Sequence, residues 1–159
     1  MDDFGGRVLA VLAMEFSDLT DLDNCVRLLA RLLLAALLGG LLGLQRELSG
    51  KAAGLRTHML VCTGAALFVL APGLNGASPD ALSRAIQGVV AGIGFLGAGT
   101  ILKGNEQDTH KVKGLTTAAG LWMTAAIGVA AGMGHEGSAI FATALALLVL
   151  AVVPRSPGA

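Results

Sequence analysis

Four long stretches of this chain contain no Asp, Glu, Lys or Arg: Thr57–Pro79, Ala85–Leu102, Gly114–His135 and Gly137–Pro154. A helix that crosses the hydrocarbon core of a bilayer needs roughly 20 mostly apolar residues. Each stretch meets or approaches that length. A fifth candidate, Val26–Leu44, carries Arg27 and Arg31 near one end, where long basic side chains can reach the interface. A soluble alternative would need five nearly charge-free helices packed without a polar face. The chain therefore reads as all-α, a polytopic membrane helix bundle of about five transmembrane helices. The expected spans are 26–44, 58–74, 85–102, 115–133 and 138–153, within a membrane domain over 26–153.

Composition agrees. Only 14% of the 159 residues are charged, against about a quarter in an ordinary soluble domain. The 23 glycines are poor material for water-soluble helices, whereas membrane helices use glycine to approach one another closely. Formal net charge is zero, so no basic field points to nucleic acid. No HExxH, GxSxG or P-loop pattern is present, and no CxxC or Cys/His cluster suggests zinc. The reading is of a protein that is not an enzyme and carries no cofactor or metal. His58, His110 and His135 fall in loops or at span ends and read as interfacial side chains.

Residues 1–25 begin Met1-Asp2-Asp3, unlike the basic start of a secretory signal. Phe4, Val8, Leu12, Phe16 and Leu19 have helical spacing, which suggests an amphipathic helix on the membrane surface. A partly ordered tail is the alternative. Residues 154–159 read as a short cytoplasmic tail.

Five spans alternate the connecting segments between two faces. Arg46, Lys51, Arg56, Lys103, Lys111, Lys113 and Arg155 share one face with Glu47, Glu106 and Asp108. The other holds Arg7, Arg27, Arg31 and Arg84 against a larger set of acids: Asp2, Asp3, Glu15, Asp18, Asp21, Asp23, Asp80 and Glu136. Basic loops stay in the cytoplasm, so the N-terminus is expected outside and the C-terminus inside a bacterial cytoplasmic membrane. Cys25 and Cys62 then lie at opposite ends of spans and are expected to be reduced packing residues.

Three spans contain G-x-x-x-G: Gly39/Gly43, Gly88/Gly92 and Gly128/Gly132. The spacing forms a groove that accepts a neighbouring helix or a second copy of the chain. The segment Gly92-Ile93-Gly94-Phe95-Leu96-Gly97-Ala98-Gly99 has two readings. One is a broken helix exposing backbone groups to a substrate; the other is close helix packing. Lys51–Thr57 and Lys111–Thr117 share the pattern K-x-x-G-L-x-T at an offset of 60 residues, which suggests a parallel repeat of helix pairs. Gly54 and Thr57, or Gly114, Thr116 and Thr117, would give open amides and a hydroxyl cap beside basic residues. That is an anion site, or ordinary capping. A carboxylate-lined Mg²⁺ path has no support, since Asp and Glu lie only at span ends. Asp80 and Arg84 are four apart and could pair.

Several strings together resemble the MgtC/SapB family of bacterial inner-membrane proteins. They are Gly43-Leu44-Gln45-Arg46-Glu47, Gly54-Leu55-Arg56-Thr57-His58, Arg84, Gly92 to Gly99 with Gly94 and Gly97, Gly114-Leu115-Thr116-Thr117-Ala118-Ala119 and Trp122. Gln45 stands where many members have Glu. The resemblance implies a role in magnesium homeostasis and virulence, exercised as a non-enzymatic regulator of a membrane complex such as the F-type ATP synthase. It assigns the functional motif to Gln45, Arg46, Glu47, Gly54, Arg56, Thr57, Asp80, Arg84, Lys111, Thr116, Thr117 and Trp122, together with the glycines. Many members continue into a soluble cytoplasmic domain, and the sequence reads as a short form without it. The alternative function is a transporter or channel for Mg²⁺ or another small solute, with Arg46 and Glu47 at its cytoplasmic mouth. The expected partners are the lipid bilayer, a membrane complex and a second copy in a homodimer.

Overall fold

The computed structural model describes residues 4–15, 21–74, 76–102 and 113–152. Six helices make up the regular structure: α1 Phe4–Glu15, α2 Leu22–Leu48, α3 Leu55–Leu74, α4 Pro79–Leu102, α5 Leu115–Gly132 and α6 Glu136–Val152. No strand occurs among the described residues. Helices α2 to α5 are long and apolar enough to cross a membrane, and α6 is a shorter apolar helix of 17 residues. The all-α membrane bundle is thus what the charge-free stretches predict.

The chain forms two compact units, Met1–Ala30 and Arg31–Ala159. The first contains α1, none of whose residues is buried, and the first turns of α2. The helically spaced Phe4, Val8 and Leu12 lie on α1, while Phe16 and Leu19 fall outside the described residues.

Apolarity underestimates helix length at both ends of α2. The expected span begins at Val26, but the helix starts at Leu22, where the Asp21 carboxylate accepts the Asp23 N–H at 3.1 Å. At the far end Gln45, Arg46 and Glu47 are good helix formers and extend it to Leu48. Helix α4 likewise starts ahead of the apolar window. Ser78 Oγ accepts the Ala81 N–H at 3.3 Å, and Pro79 takes the first helical position.

Glycine stops α5. Gly134 has φ 83, its N–H bonds to Ala131 O at 3.1 Å, and the His135 N–H bonds to Ala130 O at 2.9 Å. This crossed pair uses two of the carbonyls a helix end leaves over. A β-carbon at Gly134 would also overlap the Arg31 guanidinium. Arg31 Nη1 donates to Gly132 O at 3.1 Å, and its Nε lies 3.6 Å from the Glu136 carboxylate. The basic residue inside the first apolar run therefore ties the α5–α6 turn.

The core of the second unit is built on small residues. Ala35, Leu38 and Leu42 of α2 meet Cys62 and Ala66 of α3, Ile127 and Ala131 of α5, and Ala139 of α6. Ile93 of α4 joins a second cluster with Ala65, Leu121 and Ala125. Two G-x-x-x-G pairs face α3. A β-carbon on Gly39 would sit 2.6 Å from Cys62 Cβ, and one on Gly43 would sit 2.7 Å from Leu55 Cα. On α5, β-carbons at Gly128 and Gly132 would overlap the carbonyls of Cys62 and Ala66. Helix α3 is gripped between these two glycine faces. Cys62 is fully buried there, and both cysteines are free thiols.

Helix α4 corrects both readings of the Gly92–Gly99 run. The helix is continuous through it. Each glycine costs ~1 kcal/mol of helix propensity relative to Ala, but a break in lipid would leave amides and carbonyls unsatisfied at several kcal/mol each. Nor is the run closely packed. Only Gly97 among these glycines has a neighbour within 4 Å of an added β-carbon, Ala118 at 3.5 Å; Gly88, Gly92, Gly94 and Gly99 have none.

The two K-x-x-G-L-x-T segments each lead into a helix, α3 and α5, but the helix pairs differ in detail. Gly114 has φ 93, while Gly54 is not among the glycines with positive φ. The glycines of α2 are packed on α3, whereas those of α4 stay mostly open.

Candidate functional site

The best-built polar cluster lies where the end of α2 meets the starts of α3 and α5. Helix α2 presents Gln45, Arg46 and Glu47 on successive positions, so the three diverge by about 100° each. Arg46 turns inward and is only 2% exposed. Its Nη2 donates to Thr117 Oγ1 on α5 at 3.5 Å. Thr117 is buried as well. Glu47 turns the other way and accepts the Leu55 N–H, the first of α3, at 2.8 Å. Arg46 and Glu47 thus serve two different helices and do not pair with each other. Gln45 Nε2 donates to Ser49 Oγ at 3.4 Å, while its buried Oε1 has no hydrogen-bond partner among the described residues.

Gly54 makes room for this arrangement, since a β-carbon there would stand 2.6 Å from Glu47 Oε2. The α3 N-terminus is therefore already occupied by a carboxylate, which corrects the expectation of an anion site there. The hydroxyl cap expected at α5 is corrected too. Gly114 caps that helix with no side-chain hydrogen bond, and Thr117 is engaged with Arg46 instead. Backbone contact of Gly114 with Thr100 and Ile101 brings the end of α4 to the same pole.

His58 corrects another expectation. It is 1% exposed, not interfacial. Its Nδ1 lies 3.0 Å from Gly54 O, which also accepts the His58 backbone N–H at 3.2 Å. A carbonyl partner requires the proton on Nδ1.

The remaining motif residues do not converge on this cluster. Arg56, Thr57 and Thr116 are at the same pole but exposed. Trp122 is half exposed on α5. Asp80 and Arg84 lie at the start of α4, at the opposite pole, both exposed, and form no ion pair with each other. Gly92, Gly94 and Gly99 face open space on α4, and Gly97 meets α5. Lys111 lies outside the described residues. Sequence reasoning missed His58, whose spacing to Cys62 and Ala66 along one face of α3 is the signal that would have buried it. It also missed the tie from Arg31 to Glu136. Among the described residues no group of three His, Cys, Asp or Glu could hold a metal ion.

Between α3 and α4 runs an apolar cleft of about 730 Å³, lined on one side by Gly64 and Phe68 and on the other by Gly88, Gly92 and Leu96. A smaller pocket of about 270 Å³ lies beside His58, against α5 and α6.

Comparison with known proteins converges on one family. The MgtC family model matches residues 32–157. SrpB from Synechococcus elongatus is 46% identical over 134 residues, which cover 79% of this chain and 74% of SrpB. YhiD from Escherichia coli K12, named as a candidate magnesium transporter, is 43% identical over 129 residues, 77% of this chain and 58% of YhiD. MgtC from Salmonella typhimurium is 47% identical over 116 residues, 73% of this chain and 48% of MgtC. The chain thus spans about half the length of MgtC and little more of YhiD. No solved structure matches. The glycine and threonine strings, the helical membrane bundle around them and these relatives together make the chain a member of the MgtC family.

Proposed function

We propose that this protein acts in magnesium homeostasis as a non-enzymatic regulator, docking against a helix of another membrane complex. The F-type ATP synthase is the partner that the family resemblance suggests. The observation that carries the reading is the open face of α4. Gly88 and Gly92 have the spacing of a helix-receiving groove and line the open cleft beside α3, where an added β-carbon would meet nothing within 4 Å, whereas the paired glycines of α2 and α5 are all filled by α3. In this reading α6 is the fifth span, the N-terminus is outside the cytoplasmic membrane, and the Arg46 pole faces the cytoplasm. A second copy docked on the same α4 face would give a homodimer.

The name of YhiD favours the second reading, magnesium transport, by way of the relative and not of the site.

Both readings meet in one reconstitution. The protein is placed in proteoliposomes with purified F-type ATP synthase, and ATP-driven proton pumping is recorded beside Mg²⁺ flux. Regulation predicts that pumping falls severalfold, that Gly92→Leu restores it, and that no Mg²⁺ flux appears. Mg²⁺ flux with pumping unchanged would establish the transporter and end the regulator reading.

A further inference from the structure

His58 stands between two environments. On one side Nδ1 donates to Gly54 O at 3.0 Å. On the other, Nε2 is turned toward Gly120 of α5, 3.8 Å from where a β-carbon would sit. His58 and Gly120 both line the pocket of about 270 Å³, and among the described residues no hydrogen bond to Nε2 is formed. The residue is 1% exposed. In a neutral imidazole with its proton on Nδ1, the other nitrogen carries a lone pair and can only accept. The structure therefore aims one unpartnered acceptor of a buried residue into a small pocket.

The rest of the pocket narrows the chemistry. Its lining is apolar apart from His58 and Thr116, and no charged side chain lines it. A charged head would go unpaired there. A water molecule needs two to four polar partners to be held, and these walls offer few. The volume is slightly below the ~300–1,000 Å³ of sites that take drug-sized ligands. That suits one ring or a short chain. Leu145 and Val149 of α6 form the outer wall, so a longer apolar tail could continue into lipid.

We propose that this pocket binds a neutral, bilayer-soluble molecule through a single hydroxyl, a phenol or alcohol head whose O–H donates to His58 Nε2. The site is independent of the α4 docking face. Gly120 is the positioning residue, because its missing side chain leaves the space in front of the imidazole.

The test uses the full chain in phosphatidylcholine nanodiscs. His110→Gln and His135→Gln leave His58 as the single ¹⁵N-labelled histidine. The probes are 4-propylphenol and 4-propylanisole, which match in shape while the anisole has no O–H. The phenol should shift the Nε2 resonance saturably. The anisole should bind at least tenfold more weakly. Gly120→Leu should weaken phenol binding at least tenfold while the fold, checked by thermal unfolding, is kept. The β-carbon added there meets Nε2 alone, at an ordinary contact distance of 3.8 Å. An Nε2 signal that does not move with phenol would overturn the proposal. Equal binding of phenol and anisole, or undiminished binding to Gly120→Leu, would also overturn it.

Discussion

The carboxylate of Glu47 accepts the backbone N–H of Leu55 at 2.8 Å, so the last turn of one helix closes the start of the next. An N-cap normally comes from a residue adjoining the helix. Here it comes from eight positions upstream, and the negative charge also meets the positive end of the α3 dipole. Glu47→Ala should cost about 1 kcal/mol. Glu47→Gln should cost less, since the amide oxygen still accepts. Unfolding in mixed micelles followed by circular dichroism measures both. An Ala variant that unfolds at the wild-type denaturant fraction would show that the cap contributes nothing.

Equal motifs should respond unequally to the same change. Gly128→Ala would drive a methyl into the Cys62 carbonyl, so α3 and α5 must separate at a cost of about 1–3 kcal/mol. Gly92→Ala meets nothing within 4 Å and relieves the glycine penalty in a helix. It should be neutral or stabilising by up to ~1 kcal/mol. Thermal unfolding of the two variants side by side decides it, and similar losses would mean that α4 is packed in the membrane after all.

The Arg31 tie should be carried more by its backbone bond than by its charge pair. Glu136 is 48% exposed and 3.6 Å away, and exposed pairs contribute ~0–1 kcal/mol. Glu136→Ala should therefore change stability little. Arg31→Leu removes the bond to Gly132 O as well and should cost about 1–3 kcal/mol. A double-mutant cycle on unfolding free energies separates the two parts.

The two thiols should differ in reactivity. Cys62 is 0% exposed between Gly39 and Gly128, while Cys25 is half-buried. A water-soluble maleimide should modify Cys25 in the folded protein and reach Cys62 only on unfolding. Mass spectrometry before and after denaturation reads this directly. Rapid labelling of Cys62 in the native state would contradict the grip of α2 and α5 on α3.

The spans were legible because charge-free runs of bilayer length leave a chain few alternatives. Their ends were not, because apolarity measures contact with lipid while helix length depends on caps. Asp21, Ser78 and Glu47 act there through single hydrogen bonds. Glycine spacing correctly marked Gly39/Gly43 and Gly128/Gly132 as packing faces. It could not say that Gly88/Gly92 would face α3 across an open cleft and not in contact, because pairing is a property of the partner. Arg46 and Glu47 were picked out together by the motif. That they would diverge to Thr117 and Leu55 follows from the helical turn between neighbours. His58 was misjudged because its burial depends on the glycine faces around α3 and not on its own polarity.

The loose hold on α4 has a consequence for handling the protein. Only 11% of its most apolar window is buried, against 44% for α5. Most of the surface of α4 is therefore solvated by acyl chains and not by protein. Extraction that strips annular lipid removes the medium in which α4 is at home, while α3 and α5 keep each other. A preparation that remains monodisperse can thus have lost its fourth helix from the bundle, and lipid content becomes a structural variable of the purified molecule.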